Sequence, residues 1–162
     1  MPYDFSKLSV LVVEDSSVML EVVVNALKVL GVGQVYQARN GESGFAQFTK
    51  IRPDIVITDW EMEPVDGLEL IKWIRRDSMS PKRTVPVIVM TGYAASMRVA
   101  EARDRGVTEF LVKPFTANEL ARRIAYVIDS PRDFVETQEF FGPDRRRRRS
   151  QDYEGPERRN EG

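Results

Sequence analysis

Residues 55–70 read IVITDWEMEPVDGLEL. Ile55 to Thr58 is an uninterrupted apolar and β-branched run, the pattern of a strand buried on both faces; a strand with one wet face would alternate. The run breaks at Asp59, and Glu61, Glu63 and Asp66 crowd into the loop behind it. Like charges this close repel, so folding alone gives no reason to collect them. The cluster expects a positive partner.

Working outward, the same pattern recurs. Leu8 to Val13 (LSVLVV) is a continuous apolar strand, followed by Glu14-Asp15-Ser16-Ser17 and a helix to about Leu30 that stops at Gly31 and Gly33. Gln34 to Ala38 is a second strand and Gly41 to Lys50 a helix. Pro53 opens the strand Asp54 to Thr58, and Leu68 to about Arg75 is helical. Val85 to Met90 (VPVIVM) is a strand leading into Thr91-Gly92-Tyr93, followed by a helix from about Ala95 to Arg105 that ends at Gly106. Thr108 to Val112 is a strand broken by Pro114. The last helix, Thr116 to about Ile128, opens on Thr116-Ala-Asn-Glu119, the form of a capping box.

Five βα units in strict alternation, with strands apolar throughout, predict an α/β fold: a doubly wound five-stranded parallel sheet with helices on both faces. The sheet domain is expected over residues 6–130, with an extended C-terminal tail over 131–162. In open sheets of this kind the chemistry lies beyond the carboxyl ends of the strands. Here the first strand ends in Glu14 and Asp15, the third in Asp59, the fourth in Thr91 and the fifth in Lys113. Three carboxylates, a hydroxyl and an ammonium therefore share one edge of the sheet. Hard carboxylate oxygens with open positions suit Mg²⁺ held jointly with a phosphate. Beside such a metal the Asp59 carboxylate can act as a nucleophile and form an acyl phosphate, with Glu14 and Asp15 as metal ligands. Lys113 and Thr91 would then neutralise and bond the phosphoryl oxygens.

Composition narrows the alternatives. The 162 residues contain no cysteine and no histidine, which excludes disulfides, thiolate nucleophiles, Ser-His-Asp triads, HExxH metalloproteases and a histidine phosphoryl donor within this chain. The net charge of −1 gives no bulk attraction to nucleic acid or anionic membrane. No long apolar run and no leader pattern is visible, so the expected location is the cytoplasm. G-x-x-x-x-G-K-[ST] is absent, which removes a P-loop NTPase.

Together these residues resemble the receiver domain of two-component response regulators, over about Ser6 to Asp129. The likeness rests on the acidic pair Glu14-Asp15, Asp59 at the end of strand three, Asp66-Gly67, Thr91-Gly92, and Lys113-Pro114-Phe115. It implies the flavodoxin-like receiver fold of a stand-alone, chemotaxis-type regulator: a phosphoacceptor protein, not an enzyme. Asp59 would take a phosphoryl group from a phosphohistidine on a histidine kinase or histidine phosphotransfer protein. Mg²⁺ would be held by Glu14, Asp15, Asp59 and the backbone carbonyl of Glu61. Thr91 and Phe110 would form a coupled switch that changes affinity for a downstream protein target, with homodimerisation on phosphorylation as a further expectation. Two positions depart from the family pattern: Glu63 stands where proline is common, with Pro64 after it, and Phe110 has no hydroxyl. A phosphatase of the haloacid dehalogenase type resembles a different pattern, D-x-D after strand one.

Two surfaces are candidates for partners. On helix one, a core stripe of Met19, Val22, Val23, Ala26 and Leu30 leaves Leu20 and Val24 on a neighbouring face, either as a docking patch beside the site or as part of a wide buried stripe. Val99, Arg103, Phe110 and Arg122 are the candidates on the output face. In the tail an aromatic precedes G-P-[DE]-R-R twice, at Phe141 to Arg146 and at Tyr153 to Arg159, around the run Arg145 to Arg149. Acids surround that run and the tail's charges nearly cancel. A solvated or contact-folded segment therefore ranks first, a protein-binding motif anchored by Phe134, Phe140, Phe141 or Tyr153 second, and DNA contact third. A regulator acting mainly through this tail, on DNA or a partner, is the alternative function.

Overall fold

The computed structural model describes residues 4–92, 100, 102–129, 134–136 and 141–143. Strands β1 (Ser9–Val13), β2 (Gln34–Ala38), β3 (Ile55–Asp59), β4 (Val87–Thr91) and β5 (Glu109–Val112) form one sheet in the order β2-β1-β3-β4-β5. Every pairing in it is parallel. The helices described from end to end are α1 (Ser17–Val29), α2 (Gly41–Ile51), α3 (Gly67–Arg76) and α4 (Ala117–Asp129). The chain leaves β1 for one edge of the sheet and returns to its other side at β3. The crevice between the carboxyl ends of these two strands is thus the topological switch point.

Alternate strand residues feed two separate cores, which is why the strands read as unbroken apolar runs. Val10, Val12, Ile55, Ile57, Ile88 and Met90 pack beneath α1 and α4, with Leu20, Val23, Leu27, Leu120 and Ile124. Leu11, Val13, Val56, Val87 and Val89 face the opposite layer, with Phe48, Leu70, Ile71 and Ile74. Each fully buried side chain of this size contributes about 1.5–3 kcal/mol.

The helix starts follow their capping chemistry. Side-chain oxygens of Ser16, Asn40 and Asp66 accept the N–H groups of Met19, Ser43 and Glu69. The capping box forms as expected: Glu119 N–H donates to Thr116 Oγ1 at 3.1 Å, and Thr116 N–H to Glu119 Oε1 at 2.9 Å.

Helix α1 corrects the expectation about its faces. Its buried residues are Leu20, Val23, Val24 and Leu27, while Val18 and Val22 are 72% and 50% exposed. Leu20 and Val24 are therefore core residues and cannot form a docking patch; Val22 leaves the core stripe, and Met19, Ala26 and Leu30 lie at its margin. The helix is apolar on almost every side, so two stripes satisfy the helical period. The direction in which β1 delivers the chain selects between them.

Of the helix expected over 95–105, the described residues 100 and 102–104 are helical, and Val99 lies outside the described residues. Within the expected tail, β6 (Phe134–Glu136) and β7 (Phe141–Pro143) pair antiparallel. β7 lies against α3, and Gly142 and Pro143 are buried. Tail composition gave no sign of this short hairpin. The arginine run, Phe140 and the second G-P motif lie outside the described residues. Among the described residues no helix is long and apolar enough to cross a membrane.

Candidate functional site

The four strand ends meet as their order requires. Glu14 continues the ladder of β1, its N–H donating to the Ala38 carbonyl at 3.0 Å, and its side chain is buried at 1% exposure. Glu14 Oε2 accepts the Ser16 N–H at 3.1 Å. Asp59 closes β3, and its Oδ1 accepts the Trp60 N–H at 2.9 Å. From the next strands, Lys113 N–H donates to the Thr91 carbonyl at 2.8 Å, which ties the end of β5 to the end of β4. That tie delivers the Lys113 ammonium to 3.0 Å from Asp59 Oδ1 and 3.6 Å from Glu14 Oε1.

Glu14, Asp15 and Asp59 each offer a carboxylate oxygen, and these oxygens all lie within 4.8 Å of one another. Glu14 and Asp59 are buried while Asp15 is exposed at the mouth. One ammonium does not satisfy this charge. Burial, and after it the Asp59 and Asp15 charges, push the Glu14 carboxyl above its usual range, against the Ser16 N–H and Lys113. Glu14 Oε1 is buried with no hydrogen-bond donor. An orphaned buried oxygen beside two further carboxylates fits a hard divalent cation such as Mg²⁺.

The opening stretch now divides by role. Asp59 enters the site, Asp66 caps α3, and Glu61 and Glu63 face outward. Trp60 and Met62 point inward between them and are buried. An open pocket lined by Asp15, Glu61, Met62, Glu63 and Asp66 adjoins the carboxylates. Gly67 holds this loop down: its N–H donates to the Trp60 carbonyl at 2.9 Å, and a Cβ at Gly67 would overlap the Asp59 carbonyl oxygen. The peptide bonds Glu63–Pro64 and Lys113–Pro114 are cis.

Thr91 is buried at the end of β4. The register pairs Val89 with Phe110 and Thr91 with Val112, so Thr91 and Phe110 share a sheet face one step apart. Phe110 is half-buried against the α2/α3 core. Among the expected output residues, Arg103 is half-buried and Arg122 exposed. Arg122 lines a groove between β5 and α4 with Glu109, Val112, Pro114 and Tyr126.

Sequence reasoning missed four residues near these surfaces. Val18 and Val22 stand exposed on α1, immediately after the acidic pair. Glu109 is buried, its Oε1 accepting the Phe110 N–H at 3.2 Å and its Oε2 lying 3.7 Å from Arg123. Arg39 donates to the Asp15 carbonyl at 3.1 Å. The apolar residues of α1 were visible as exposure candidates only once its register was known, and no local signal marks the other two.

Comparison with known proteins agrees with this geometry. The family profile described as the response regulator receiver domain matches residues 10–125. Chemotaxis protein CheY-3 of Vibrio cholerae is 33% identical over 122 residues, 75% of this chain and 92% of that protein. CheY1 of Helicobacter pylori is also 33% identical over 122 residues, 75% of this chain and 97% of its own. Among solved structures, CheY4 of Vibrio cholerae superposes with a TM-score of 0.69 at 29% identity, covering 74% of this chain and 98% of that one. The receiver domain of a Pseudomonas aeruginosa sensor histidine kinase, solved with a magnesium ion coordinated in its active site cleft, gives 0.68 at 28% identity over 76% and 98% of the two chains.

Proposed function

The chain belongs to the response regulator receiver family, and from that premise we propose that Asp59 is its phosphoacceptor, charged by a partner's phosphohistidine in the presence of Mg²⁺. The observation that carries this reading is the Lys113 ammonium between Asp59 and Glu14, with a buried Glu14 oxygen left unbonded.

Both described contacts to the Asp59 side chain use Oδ1, which leaves Oδ2 to attack phosphorus. The new O–P bond forms as the P–N bond to the donor imidazole breaks, and the imidazole takes its proton from solvent. Glu14, Asp15, Asp59 and the Glu61 backbone carbonyl would hold Mg²⁺, which when bound offsets charge on the phosphoryl oxygens. Lys113 neutralises one phosphoryl oxygen, and the Thr91 hydroxyl donates to another as the phosphoryl group draws it inward. Phe110, on the same face, packs into the space behind Thr91. Phosphorylation thereby shifts an existing equilibrium of the β4–β5 region, and a downstream protein binds through Arg103 and through Arg122 and Val112 of the outer groove. The event is signalling on the chain itself rather than turnover of a substrate, and its expected setting is the cytoplasm.

The donor protein docks beside the site. Val18 and Val22, exposed on the helix that begins just after Asp15, take the docking role first expected of Leu20 and Val24. A regulator working mainly through the arginine run is the less favoured reading, because the family match and the reactive groups both fall within residues 10–125.

The test is intact mass after incubation with acetyl phosphate, with and without Mg²⁺, for wild type and Asp59→Asn. A single phosphoryl adduct that needs both Mg²⁺ and Asp59 supports the reading. An adduct that survives chelation or the substitution would refute it.

A further inference from the structure

Arg75, one residue from the end of α3, is 1% exposed, the largest fully buried side chain among the described residues. Its Nε donates to the Gly106 carbonyl at 3.0 Å, and its Nη1 to the Arg83 and Val85 carbonyls at 2.7 Å each. Nη2 donates to Thr108 Oγ1 at 3.2 Å. Arg83 Nε returns a bond to the Arg75 carbonyl at 2.7 Å. Thr108 closes the arrangement: its Oγ1 also accepts the Val87 N–H at 3.0 Å, and its N–H donates to the Val87 carbonyl at 2.9 Å.

One guanidinium therefore joins α3 to the segment that leads into β4 and to the segment that leads into β5. Thr91 and Lys113 lie at the opposite ends of those strands. The chain between Thr91 and Gly106 is the only covalent link from the reactive end of β4 to the beginning of β5. Its far end is pinned: Gly106 has φ +100, and a Cβ there would press on Arg75 Cγ and Nε at 3.0 and 3.1 Å. Phe110 stands two residues beyond the pinned Thr108.

We propose that Arg75 is a positioning residue of the switch. It holds the base of the β4–β5 pair and the Gly106 end of the connecting segment still, so that displacement at Thr91 reaches Phe110 instead of dissipating at the base. This deepens the receiver reading above and rests on it. Lysine cannot substitute, because a point charge on a flexible stem does not reproduce a planar fork with donors to four acceptors.

The test uses the full chain as wild type, Arg75→Lys and Thr108→Val, with and without acetyl phosphate and Mg²⁺. Intact mass reports the adduct and amide hydrogen exchange reports the response. Thr108→Val removes one acceptor and serves if Arg75→Lys does not fold. In wild type, phosphorylation is expected to alter exchange at 110–113 and to leave 104–109 unchanged. In the variants the adduct forms within about twofold of the wild-type rate, since the site is at the other edge of the sheet. The phosphorylation-dependent change then spreads into 104–109, and that at 110–113 falls at least threefold. A merely structural role would raise exchange equally with and without the phosphoryl group. That result, or a wild-type response in a folded, phosphorylated variant, overturns the proposal. Absence of an adduct on wild type overturns the receiver reading as well, and the mass spectrum separates the two failures.

Discussion

The Lys113 ammonium lies 3.0 Å from Asp59 Oδ1 and 3.6 Å from Glu14 Oε1, so a single cation spans carboxylates delivered by two different strands. It reaches them because its own N–H is fixed to the Thr91 carbonyl at 2.8 Å. Lys113 is thus counter-ion to the acids, and under the proposed function it would serve the phosphoryl oxygens in the same way. In Lys113→Met, the rate of phosphorylation by acetyl phosphate should fall about 10²–10³-fold, the usual cost of losing one preorganised donor. A time course of adduct formation by intact mass checks this. A rate within threefold of wild type would remove Lys113 from the reaction.

Glu14 makes the metal-free protein sensitive to pH. Its folded carboxyl is pushed above the usual value of 4.5, chiefly by burial, so the unfolded chain gives up this proton first as pH rises. Stability of the metal-free protein therefore falls as pH rises from 4.5 through the raised folded value. Glu14→Gln should abolish that part of the pH dependence and raise the neutral-pH melting temperature of the metal-free protein. With Mg²⁺ present the order should reverse, wild type gaining more than the variant. Calorimetry across pH with and without Mg²⁺ checks both signs.

Gly67 is where the loop behind Asp59 meets the strand. A Cβ there would overlap the Asp59 carbonyl oxygen, which is backbone and cannot swing aside. Gly67→Ala should cost about 1–3 kcal/mol in urea unfolding, the range for overpacking a close contact. The same displacement should slow adduct formation on Asp59.

The faces of α1 separate docking from folding. Val22→Lys changes a half-exposed side chain and should alter stability by no more than about 0.5 kcal/mol. It should slow phosphotransfer from a partner while acetyl phosphate reacts as before. Leu20→Lys, at 6% exposure, should instead destabilise the whole domain and lower both activities together. Chemical denaturation alongside both transfer assays distinguishes the two.

How much of this was legible in the sequence depended on whether a residue's role is local. Strands buried on both faces are continuous apolar runs, so their ends, and with them Glu14, Asp15, Asp59, Thr91 and Lys113, were readable along with the fold. The faces of α1 were not, because period alone cannot choose between stripes on a helix apolar almost all round. Asp66 counts in sequence only as one of the acids crowded behind Asp59, although Asp66-x-x-Glu69 has the shape of a helix start; its bond to the Glu69 N–H at 2.9 Å shows the cap. Arg75 looks like any charged residue late in a surface helix. Its partners at 83, 85, 106 and 108 are distant in sequence, and burial pushes its guanidinium down to about 9, a property with no local signature. The β6–β7 hairpin is too short to leave an alternating pattern.

The most direct measurement locates the phosphoryl group chemically. After reaction with acetyl phosphate and Mg²⁺, borohydride reduces an aspartyl phosphate to homoserine, and peptide mass mapping finds the converted residue. The expected result is homoserine at position 59 alone, lost when Mg²⁺ is chelated. Conversion at another carboxylate, or a stable adduct with Asp59 intact, would contradict the assignment.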